Sequence, residues 1–312
     1  MNETAAIARV SRGGNRAIDG VLLLDKPAGI TSHTAVRTVR RLYDAAKAGH
    51  TGTLDPLATG LLPVCLGEAT KFSHVLLDAD KTYSASIRLG VTTTTGDLEG
   101  EVVERRPVAI DRVQAESVLG RFVGAIEQIP PMYSAIKHAG QPLYKLARAG
   151  QVIPRVPRNI FISNLILVEW AGEELKVSVT CSKGTYVRVL AEDIGRELGC
   201  GGCLSALRRE AVGNFSLAEG GVSLAQLESL TRVERDALLL PADALLASLP
   251  SFDLDIEEAR CVRQGRPLER PGTAAAGLAR IYGPGREFLG VVEIRSPGLM
   301  IPRRLKSQAG AA

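Results

Sequence analysis

Apolar residues along this chain recur at two spacings, one typical of strands and the other of helices. Unbroken apolar runs and apolar residues at every second position predict β-strands at residues 20–25, 81–90 and 175–181. Apolar residues three and four positions apart predict α-helices at residues 31–46, 111–123, 187–198 and 223–248. On the second helix, the residues expected to face the core are Val113, Val118, Leu119 and Phe122. These elements together predict an α+β fold.

Residues 49–63, GHTGTLDPLATGLLP, fit neither spacing and predict a loop that holds a single acid. Asp55 is the only acidic residue between Asp44 and Glu68. Pro56 pushes the residue before it toward extended geometry, and the surrounding Gly and Thr residues favour loop conformations. An isolated acid on a shaped loop can act as a nucleophile or a general base, although most Asp-Pro pairs are plain turns.

The chain divides into three predicted units and one insertion. Residues 1–18 form a flexible basic arm with Arg9, Arg12 and Arg16, residues 19–249 a large domain, and residues 250–312 a small β-rich module. Residues 130–158 are basic and rich in proline, which indicates an inserted, partly helical arm. Its basic side chains are Lys137, His138, Lys145, Arg148, Arg155 and Arg158.

Composition narrows the class of protein. The 312 residues are 45% hydrophobic and 23% charged, which is ordinary for a globular protein with one large core and a smaller domain. No apolar run reaches the ~18 residues typical of a membrane span, and the first residues lack the apolar stretch of a secretory signal. A cytoplasmic protein without membrane contact is therefore expected.

The net charge of +4 is compatible with a nucleic-acid partner but is mild. Basic residues cluster locally, and such clusters are either solvated faces or phosphate contacts. The clusters are Arg37 with Arg40 and Arg41, Arg208 with Arg209, and Arg303 with Arg304 and Lys306. Six Phe, six Tyr and one Trp are too few for stacking of RNA along the whole surface. A few aromatic side chains in one pocket fit this composition better.

Neither a metal nor a nucleotide cofactor is expected. Cys200 and Cys203 form a CxxC pair, but a structural zinc site needs two more ligands, and the other cysteines are scattered. The pair is interpreted as free thiols. The sequence contains no GxxxxGK[ST] loop, no GxGxxG after a strand and no HExxH.

Six segments in a fixed order resemble the tRNA pseudouridine synthases of the bacterial TruB family. They are GVLLLDKPAGITS (20–32), GHTGTLDPLATGLLP (49–63), LGEATKF (66–72), DKTYSASIRLG (80–90), IPPMYSAIKHAGQPLYKLARAG (129–150) and CSKGTYVRVLAEDIGRELGCG (181–201). The resemblance is dense over residues 18–215 and weaker beyond. It implies the pseudouridine synthase fold, a mainly antiparallel mixed sheet flanked by helices, with a small C-terminal PUA-like RNA-binding domain.

The same resemblance implies a catalytic set of three residues. Asp55 occupies the position of the catalytic aspartate, and Arg188 that of the arginine which pairs with it. From spacing alone, Arg188 could instead form a helix-surface pair with Glu192. Tyr83 resembles the tyrosine that stacks against the target base and assists removal of the carbon-5 proton. Without the resemblance, Tyr83 would be interpreted as a core tyrosine.

Three further residues are implied to bind the substrate uridine. His50 resembles the histidine that holds the extruded nucleotide, Tyr186 another uridine contact, and Leu207 a residue of the pocket wall. Their ordinary alternatives are a solvated loop histidine, helix packing and a core leucine. Lys26 and Pro27 match a further motif that supports the loop structurally.

The implied activity is isomerisation of uridine to pseudouridine at position 55 in the T-loop of tRNA. The base would be flipped out, and the basic arm would clamp the loop. The carboxylate could attack the anomeric carbon, attack carbon 6 or take a ribose proton. A monomer without cofactor or obligatory protein partner is expected. The alternatives are a tRNA-folding protein, a synthase for another RNA, and a hydrolase with paired carboxylates, which the lack of a neighbouring acid weakens.

Overall fold

Two β-sheets organise the chain, one formed up to residue 223 and the other after residue 250. The computed structural model describes residues 16–271, 276–295 and 298–307. The first strands are β1 Gly20–Lys26, β2 Ala48–His50, β3 Thr59–Leu66, β4 Lys81–Leu89, β5 Val91–Thr93, β6 Val102–Arg105, β7 Gly124–Gln128, β8 Lys137–His138, β9 Gln141–Pro142, β10 Arg158–Ala171, β11 Glu174–Cys181, β12 Gly202–Val212, β13 Phe215–Ser216 and β14 Val222–Ser223. The later strands are β15 Ser251–Asp253, β16 Leu268–Glu269, β17 Gly277–Gly283, β18 Glu287–Arg295 and β19 Leu299–Leu305.

Helices connect and cover these strands. The α-helices are α1 Ser32–Leu42, α2 His74–Leu77, α3 Arg112–Arg121, α4 Leu143–Arg148, α5 Val187–Glu197, α6 Leu224–Ser229, α7 Arg232–Ala237 and α8 Ile256–Arg263. The 3-10 helices are Gly67–Lys71, Ala242–Leu246 and Pro284–Arg286. No helix in the described ranges is long and apolar enough to cross a membrane.

The large sheet is mixed and mainly antiparallel, which confirms the predicted architecture. Its order is β14-β1-β3-β12-β4-β11-β10-β7, with β2 paired to β3 and β13 to β12. Two pairs, β1 with β14 and β3 with β12, are parallel. The neighbours β5 and β6, and likewise β8 and β9, form separate two-stranded ribbons. Because β12 lies between β3 and β4, it joins the strand that follows the Asp55 loop to the strand that carries Tyr83.

Alternating apolar residues form the core face of the predicted strands. On β4 the buried side chains are Ala85, Ile87 and Leu89, and on β11 they are Leu175, Val177, Val179 and Cys181. They join one hydrophobic cluster with residues of α1, α3 and α5. The period-two pattern was therefore sufficient to identify both strands and the faces that they bury.

The first helix ends four residues earlier than its apolar pattern predicted. Thr31 caps the start of α1, because its hydroxyl accepts a hydrogen bond from the Thr34 amide at 3.1 Å. Asp44 adopts a φ of +51°, a left-handed conformation that cannot continue a helix. Tyr43 and Ala45 are buried after the helix has ended, whereas Ala46 is exposed.

One predicted core residue of the second helix is exposed. Asp111 and Gln114 form a reciprocal capping box at the start of α3, and Ala115, Val118 and Leu119 are buried. Val113 is 73% exposed, so its prediction as a core residue was wrong. Val113 lies in the first turn of α3 and faces solvent, and Ala115 occupies the core position instead.

The predicted helix at residues 223–248 is broken into α6, α7 and a 3-10 turn. Ser223 and Thr231 each form a capping box with the residue three positions later, so a helix begins at each. Leu230 between them is extended, with φ of −78° and ψ of +149°. Local capping therefore outweighed the continuous apolar spacing.

The second sheet forms a β-rich C-terminal module that packs against the first part of the chain. Its order is β15-β17-β18-β19-β16. The rings of Phe72 and Phe288 meet edge-on with centroids 5.3 Å apart, and the Tyr282 hydroxyl donates to Asp243 Oδ2 at 2.6 Å. The position of the domain boundary near residue 250 stays a prediction.

Most of the predicted N-terminal arm, with Arg9 and Arg12, lies outside the described residues. Arg16 is described and is held in place: its guanidinium binds both oxygens of Asp236, at 2.7 and 3.1 Å. Its backbone also forms a β-bridge with Ala45. The prediction of a flexible arm was therefore wrong for Arg16.

Candidate active site

The loop between β2 and β3 holds Asp55 in a fixed position. At the start of α1, the Ser32 hydroxyl donates to the Leu54 carbonyl at 3.0 Å and accepts from the Leu54 amide at 2.8 Å. The buried Lys26 ammonium donates to the Pro56 carbonyl at 3.4 Å. The residues on both sides of Asp55 are thus tied to neighbouring elements, as the resemblance implied for Lys26.

The structure brings Arg188 and Asp55 together although they lie far apart in sequence. Arg188 lies in the first turn of α5 and is 5% exposed, whereas the Asp55 side chain is 38% exposed. Arg188 Nε donates to Asp55 Oδ2 at 2.9 Å. In the described part of the chain, Arg188 and Glu192 form no ion pair, so the alternative of a helix-surface pair was wrong.

Three other acceptors surround the Arg188 guanidinium. Nη1 donates to the Thr95 carbonyl at 3.0 Å, and Nη2 donates to the Tyr133 carbonyl at 2.8 Å. Asp97, which is also buried, places Oδ2 at 3.6 Å from Nε. Asp97 was missed from the sequence, because it lies in an ordinary turn and only the fold brings it to Arg188. The buried guanidinium is therefore held on several sides, which fixes the orientation that it presents to Asp55.

Tyr83 lies on β4 and is partly exposed, and it packs against the edge of the main core. Burial raises the pKa of Tyr83, and the Asp55 carboxylate adds to this rise. The Arg209 guanidinium opposes it. Asp55 and Tyr83 therefore lie close enough to influence each other electrostatically.

Tyr186 lies immediately before α5 and is positioned by a residue that the sequence did not indicate. The buried Gln128 side chain donates to the Tyr186 carbonyl at 3.1 Å and accepts from its amide at 2.7 Å. Burial raises the pKa of Tyr186, and Asp55 contributes to the rise. This places Tyr186 near Asp55, beside the partner arginine.

His50 lies at the end of β2, and Leu207 lies on β12. His50 Nδ1 accepts a hydrogen bond from the Gly52 amide at 3.2 Å, and burial with the nearby charge of Arg209 lowers the pKa of His50. Its imidazole is therefore neutral at pH 7. Leu207 on β12 is 8% exposed and belongs to the main hydrophobic cluster. The substrate-binding roles of both residues stay predictions.

Arg208 and Arg209 do not form a free basic cluster, so both alternatives for the pair, a solvated face and phosphate contacts, are wrong for Arg209. Arg208 binds both oxygens of Asp25, at 2.8 and 3.0 Å. Arg209 is 1% exposed and points into the protein. By contrast, Arg37 and Arg40 on α1 are exposed.

The predicted arm at residues 130–158 contains the β8–β9 ribbon and α4. Its exposed basic side chains are Lys137, His138, Lys145, Arg148 and Arg158. Arg155 instead lies partly buried, with Nη1 donating to the Pro130 carbonyl at 3.2 Å. Since the Tyr133 carbonyl binds Arg188, the base of the arm is connected directly to the Asp55–Arg188 pair.

A cavity of about 660 Å³ lies between the base of the arm and α5, and Asp55 is not among the residues that line it. Thr95 and Tyr133, whose carbonyls bind Arg188, contribute to its wall. Glu192 and Asp193 also line it, and burial raises the pKa of both carboxyl groups. The cavity therefore borders the back of the candidate site and does not contain its carboxylate.

All five cysteines are free, and Cys65, Cys181, Cys200 and Cys203 are buried. Burial raises the pKa of the Cys203 thiol. Over the ranges that the structure describes, no group of three or more His, Cys, Asp or Glu side chains could hold a metal ion.

Three family models match successive parts of the chain. A family model described as the N-terminal domain of TruB family pseudouridylate synthase matches residues 40–187. Two further models, a tRNA pseudouridylate synthase B C-terminal domain and a pseudouridine synthase II TruB C-terminal domain, match residues 188–247 and 250–305.

Relatives match along almost the whole chain. A protein of Methylobacillus flagellatus named tRNA pseudouridine synthase B is 52% identical over 295 residues, covering 95% of this chain and 97% of the relative. One of Dechloromonas aromatica with the same name is 54% identical over 290 residues, covering 93% and 96%. In the crystal structure of a Cbf5-Nop10-Gar1 complex, one chain superposes with a TM-score of 0.70 at 26% identity, covering 92% of this chain and 84% of that one. The chain belongs to the TruB family of pseudouridylate synthases.

Proposed function

We propose that this protein isomerises uridine to pseudouridine at position 55 in the T-loop of tRNA, with Asp55 as the catalytic carboxylate. The observation that carries the proposal is the ion pair in which the buried Arg188 holds the half-exposed Asp55. Family membership supports the reaction class, and the names of the relatives support tRNA as the substrate.

The reaction breaks the N-glycosidic bond of a uridine, rotates the base and rejoins it to the ribose through carbon 5. Arg188 anchors Oδ2 of Asp55, while among the described residues no donor is bonded to Oδ1. This leaves Oδ1 available to the substrate. It can attack the anomeric carbon, attack carbon 6 or remove a ribose proton, and these three routes remain alternatives. In each, the guanidinium donates to Oδ2 and holds the carboxylate in one orientation.

A uridine inside a folded RNA loop must leave its stack to reach Asp55. Tyr83 and Tyr186 lie within electrostatic range of Asp55 and would provide aromatic surfaces on which the flipped base can stack. The neutral imidazole of His50 adds a polar contact without a positive charge. Leu207 would complete the wall of the pocket from β12.

RNA binding outside the pocket is assigned to two parts of the chain. The arm at residues 130–158 carries exposed positive charges and would clamp the T-stem-loop, since its base reaches Arg188. The module at residues 250–312 would bind RNA as a PUA-like domain, and residues 19–249 would form the catalytic domain. Arg188 binds both Asp55 and the base of the arm within one chain, so the proposed site needs no residue of a second protein. Action as a cytoplasmic monomer without an obligatory protein partner is part of the proposal.

The test is tritium release from a tRNA transcript labelled with [5-³H]uridine. Wild type, Asp55→Asn and a control, Asp78→Asn, are each given the normal transcript and one with cytidine at position 55. Asp78 is exposed and paired with Lys183 at 2.7 Å, so the control removes a paired acid outside the candidate site. Release is expected from wild type and the control, only with the uridine transcript.

Four results would contradict the proposal, each in a different way. Release by Asp55→Asn at the wild-type rate would remove Asp55 from the chemistry. Tight tRNA binding without release by wild type would favour a tRNA-folding role on the same scaffold. Release that persists with the cytidine transcript would indicate a uridine elsewhere, and release from other RNA transcripts alone would indicate a different RNA substrate.

A further inference from the structure

Arg209 is a buried cation without a carboxylate partner in the described part of the chain. It is among the largest fully buried side chains of the protein, and its guanidinium donates to three backbone carbonyls. A buried charge is costly unless it is well satisfied, and an apolar side chain of similar size usually packs at less cost. The position of Arg209 therefore calls for a functional reason.

The side chain of Arg209 reaches the loop that carries Asp55. Nη2 donates to the Gly52 carbonyl at 3.2 Å, and Nη1 donates to the Thr53 carbonyl at 3.5 Å. Nε donates to the Leu61 carbonyl on β3 at 2.7 Å. The planar guanidinium therefore joins both ends of the loop, just before Asp55 and just after it.

The backbone of Arg209 lies between the same loop and Tyr83. On one side it is in register with Gly60 of β3, and on the other with Tyr83 of β4. A Cβ atom on Gly60 would come within 2.3 Å of the Arg209 carbonyl oxygen, so the strands approach more closely than a side chain would allow. The guanidinium also lies beside the Tyr83 hydroxyl, where its charge opposes the rise that burial causes in the pKa of Tyr83.

We propose that Arg209 is a positioning residue that couples the loop carrying Asp55 to Tyr83, so that the carboxylate and the stacking tyrosine keep one fixed spacing around the flipped uridine. The proposal rests on the proposed role of Asp55. Arg209 does not touch the substrate. It acts through three carbonyls and one neighbouring strand, and a small displacement of Asp55 relative to Tyr83 is sufficient to slow the reaction.

The test compares Arg209→Met, Arg209→Lys and the control Arg208→Met in single-turnover tritium release, with tRNA affinity measured separately. Met keeps the bulk and removes the charge and donors, whereas Lys keeps the charge and loses the planar fork. Arg208 is the adjacent residue on β12, and its guanidinium binds the Asp25 carboxylate of β1 instead of the carbonyls of the loop. All assays are run well below the melting temperature of each variant.

Arg209→Met is expected to lose about 100-fold in the rate of the chemical step, with tRNA affinity unchanged within about threefold. Arg209→Lys is expected to recover part of this, to a loss of about tenfold. Amide hydrogen exchange in residues 51–58 should accelerate in Arg209→Met more than elsewhere. Arg208→Met should keep the wild-type rate and the wild-type exchange of this loop.

A purely structural role predicts a different pattern. It would lower the melting temperature and accelerate exchange throughout the protein, but the folded variant would react at the wild-type rate. A wild-type rate in Arg209→Met overturns the proposal, and so does one in Arg209→Lys if the Met variant does not fold.

Asp55→Asn is assayed in parallel. If it is inactive while Arg209→Met is normal, only the coupling fails; if it is fully active, the proposed function fails and the coupling fails with it.

Discussion

Buried cations hold the Asp55 loop from two sides, and the two sides differ in what the cations bind. On the first side, Arg188 contacts two carboxylates, with Nε at 2.9 Å from Asp55 and 3.6 Å from Asp97. On the second side, Arg209 and Lys26 donate to backbone carbonyls and, within the ranges that the structure describes, form no ion pair with a carboxylate. The first side therefore neutralises charge, while the second side orders the backbone.

This difference separates two tasks that a catalytic carboxylate requires. A carboxylate partner controls the charge of the acid and the direction in which one oxygen points. Carbonyl acceptors do not neutralise the cation. The hydrogen bonds to them fix the loop, and the remaining positive charge of Arg209 acts on Tyr83 and His50. Changes on the first side should appear chiefly in the rate of chemistry. Changes on the second side should appear in loop order and stability and, through the position of Asp55, also in the rate.

Removal of the charge on the first side should have the largest effect. We expect Arg188→Met to lower the single-turnover rate by about 10³-fold, because Asp55 loses its anchor and Asp97 is left as an unpaired buried charge. Affinity for tRNA should change little. Arg196→Met, on the exposed face of α5 and paired with Asp193 at 2.8 Å, provides the control. A rate within threefold of wild type would show that the ion pair is dispensable.

The close approach of strands on the second side should have the next largest effect. Gly60→Ala is expected to lower the free energy of unfolding by at least about 2 kcal/mol in urea titrations, since its Cβ would overlap the Arg209 backbone. Gly124→Ala is the matched control: φ is +106° there and +104° at Gly60, but nothing lies within 4 Å of its Cβ. It should cost about 1 kcal/mol. Equal losses would mean that backbone strain, and not the contact with Arg209, sets the requirement for glycine.

The pH dependence of stability should show the smallest effect. Burial lowers the pKa of Lys26 to about 8 from 10.5 in the unfolded chain, so between these values the unfolded state binds more protons. Stability attributable to Lys26 therefore rises with pH in this window, by about 1.5 kcal/mol between about pH 8 and 9.5. The free energy of unfolding is measured against pH for wild type and Lys26→Met, and the difference between the two curves gives the contribution of Lys26. Lys81, whose pKa is also lowered to about 8, contributes equally to both proteins and therefore cancels. The control Lys145→Met, at an exposed lysine, should keep the wild-type slope of unfolding free energy against pH. The same slope in Lys26→Met would contradict the assignment.

The sequence predicted those parts of the fold whose pattern is local. Strands β4 and β11 bury every second residue, and α5 ends where Gly199 adopts a φ of +78°. Predictions failed where a competing local signal was stronger, as at Thr31–Asp44 and at the two capping boxes in residues 223–248. The prediction that Val113 faces the core failed because helical spacing alone does not determine which side of the first turn is buried.

The candidate site was predicted only as far as the family resemblance extends. The resemblance identified Asp55 and Arg188, which are separated by 133 positions and then found in contact. It did not indicate Asp97, Gln128 or Arg209, because a buried acid in a turn, an amide on an edge strand and one arginine of an adjacent pair have no distinctive local pattern. Arg209 was even interpreted as a surface residue, since charge in a sequence suggests exposure.

The order of amino acids alone established the α+β class, the family resemblance and the solitary acid at position 55, because each depends on neighbouring residues. Which cation neutralises that acid and which cations only order its loop were decided by the tertiary structure. The sheet places β12 between β3 and β4, and α5 brings Arg188 to the loop from elsewhere in the chain. Long side chains such as arginine reach whichever partner packing brings near, and burial then determines whether that partner is a carboxylate or a carbonyl.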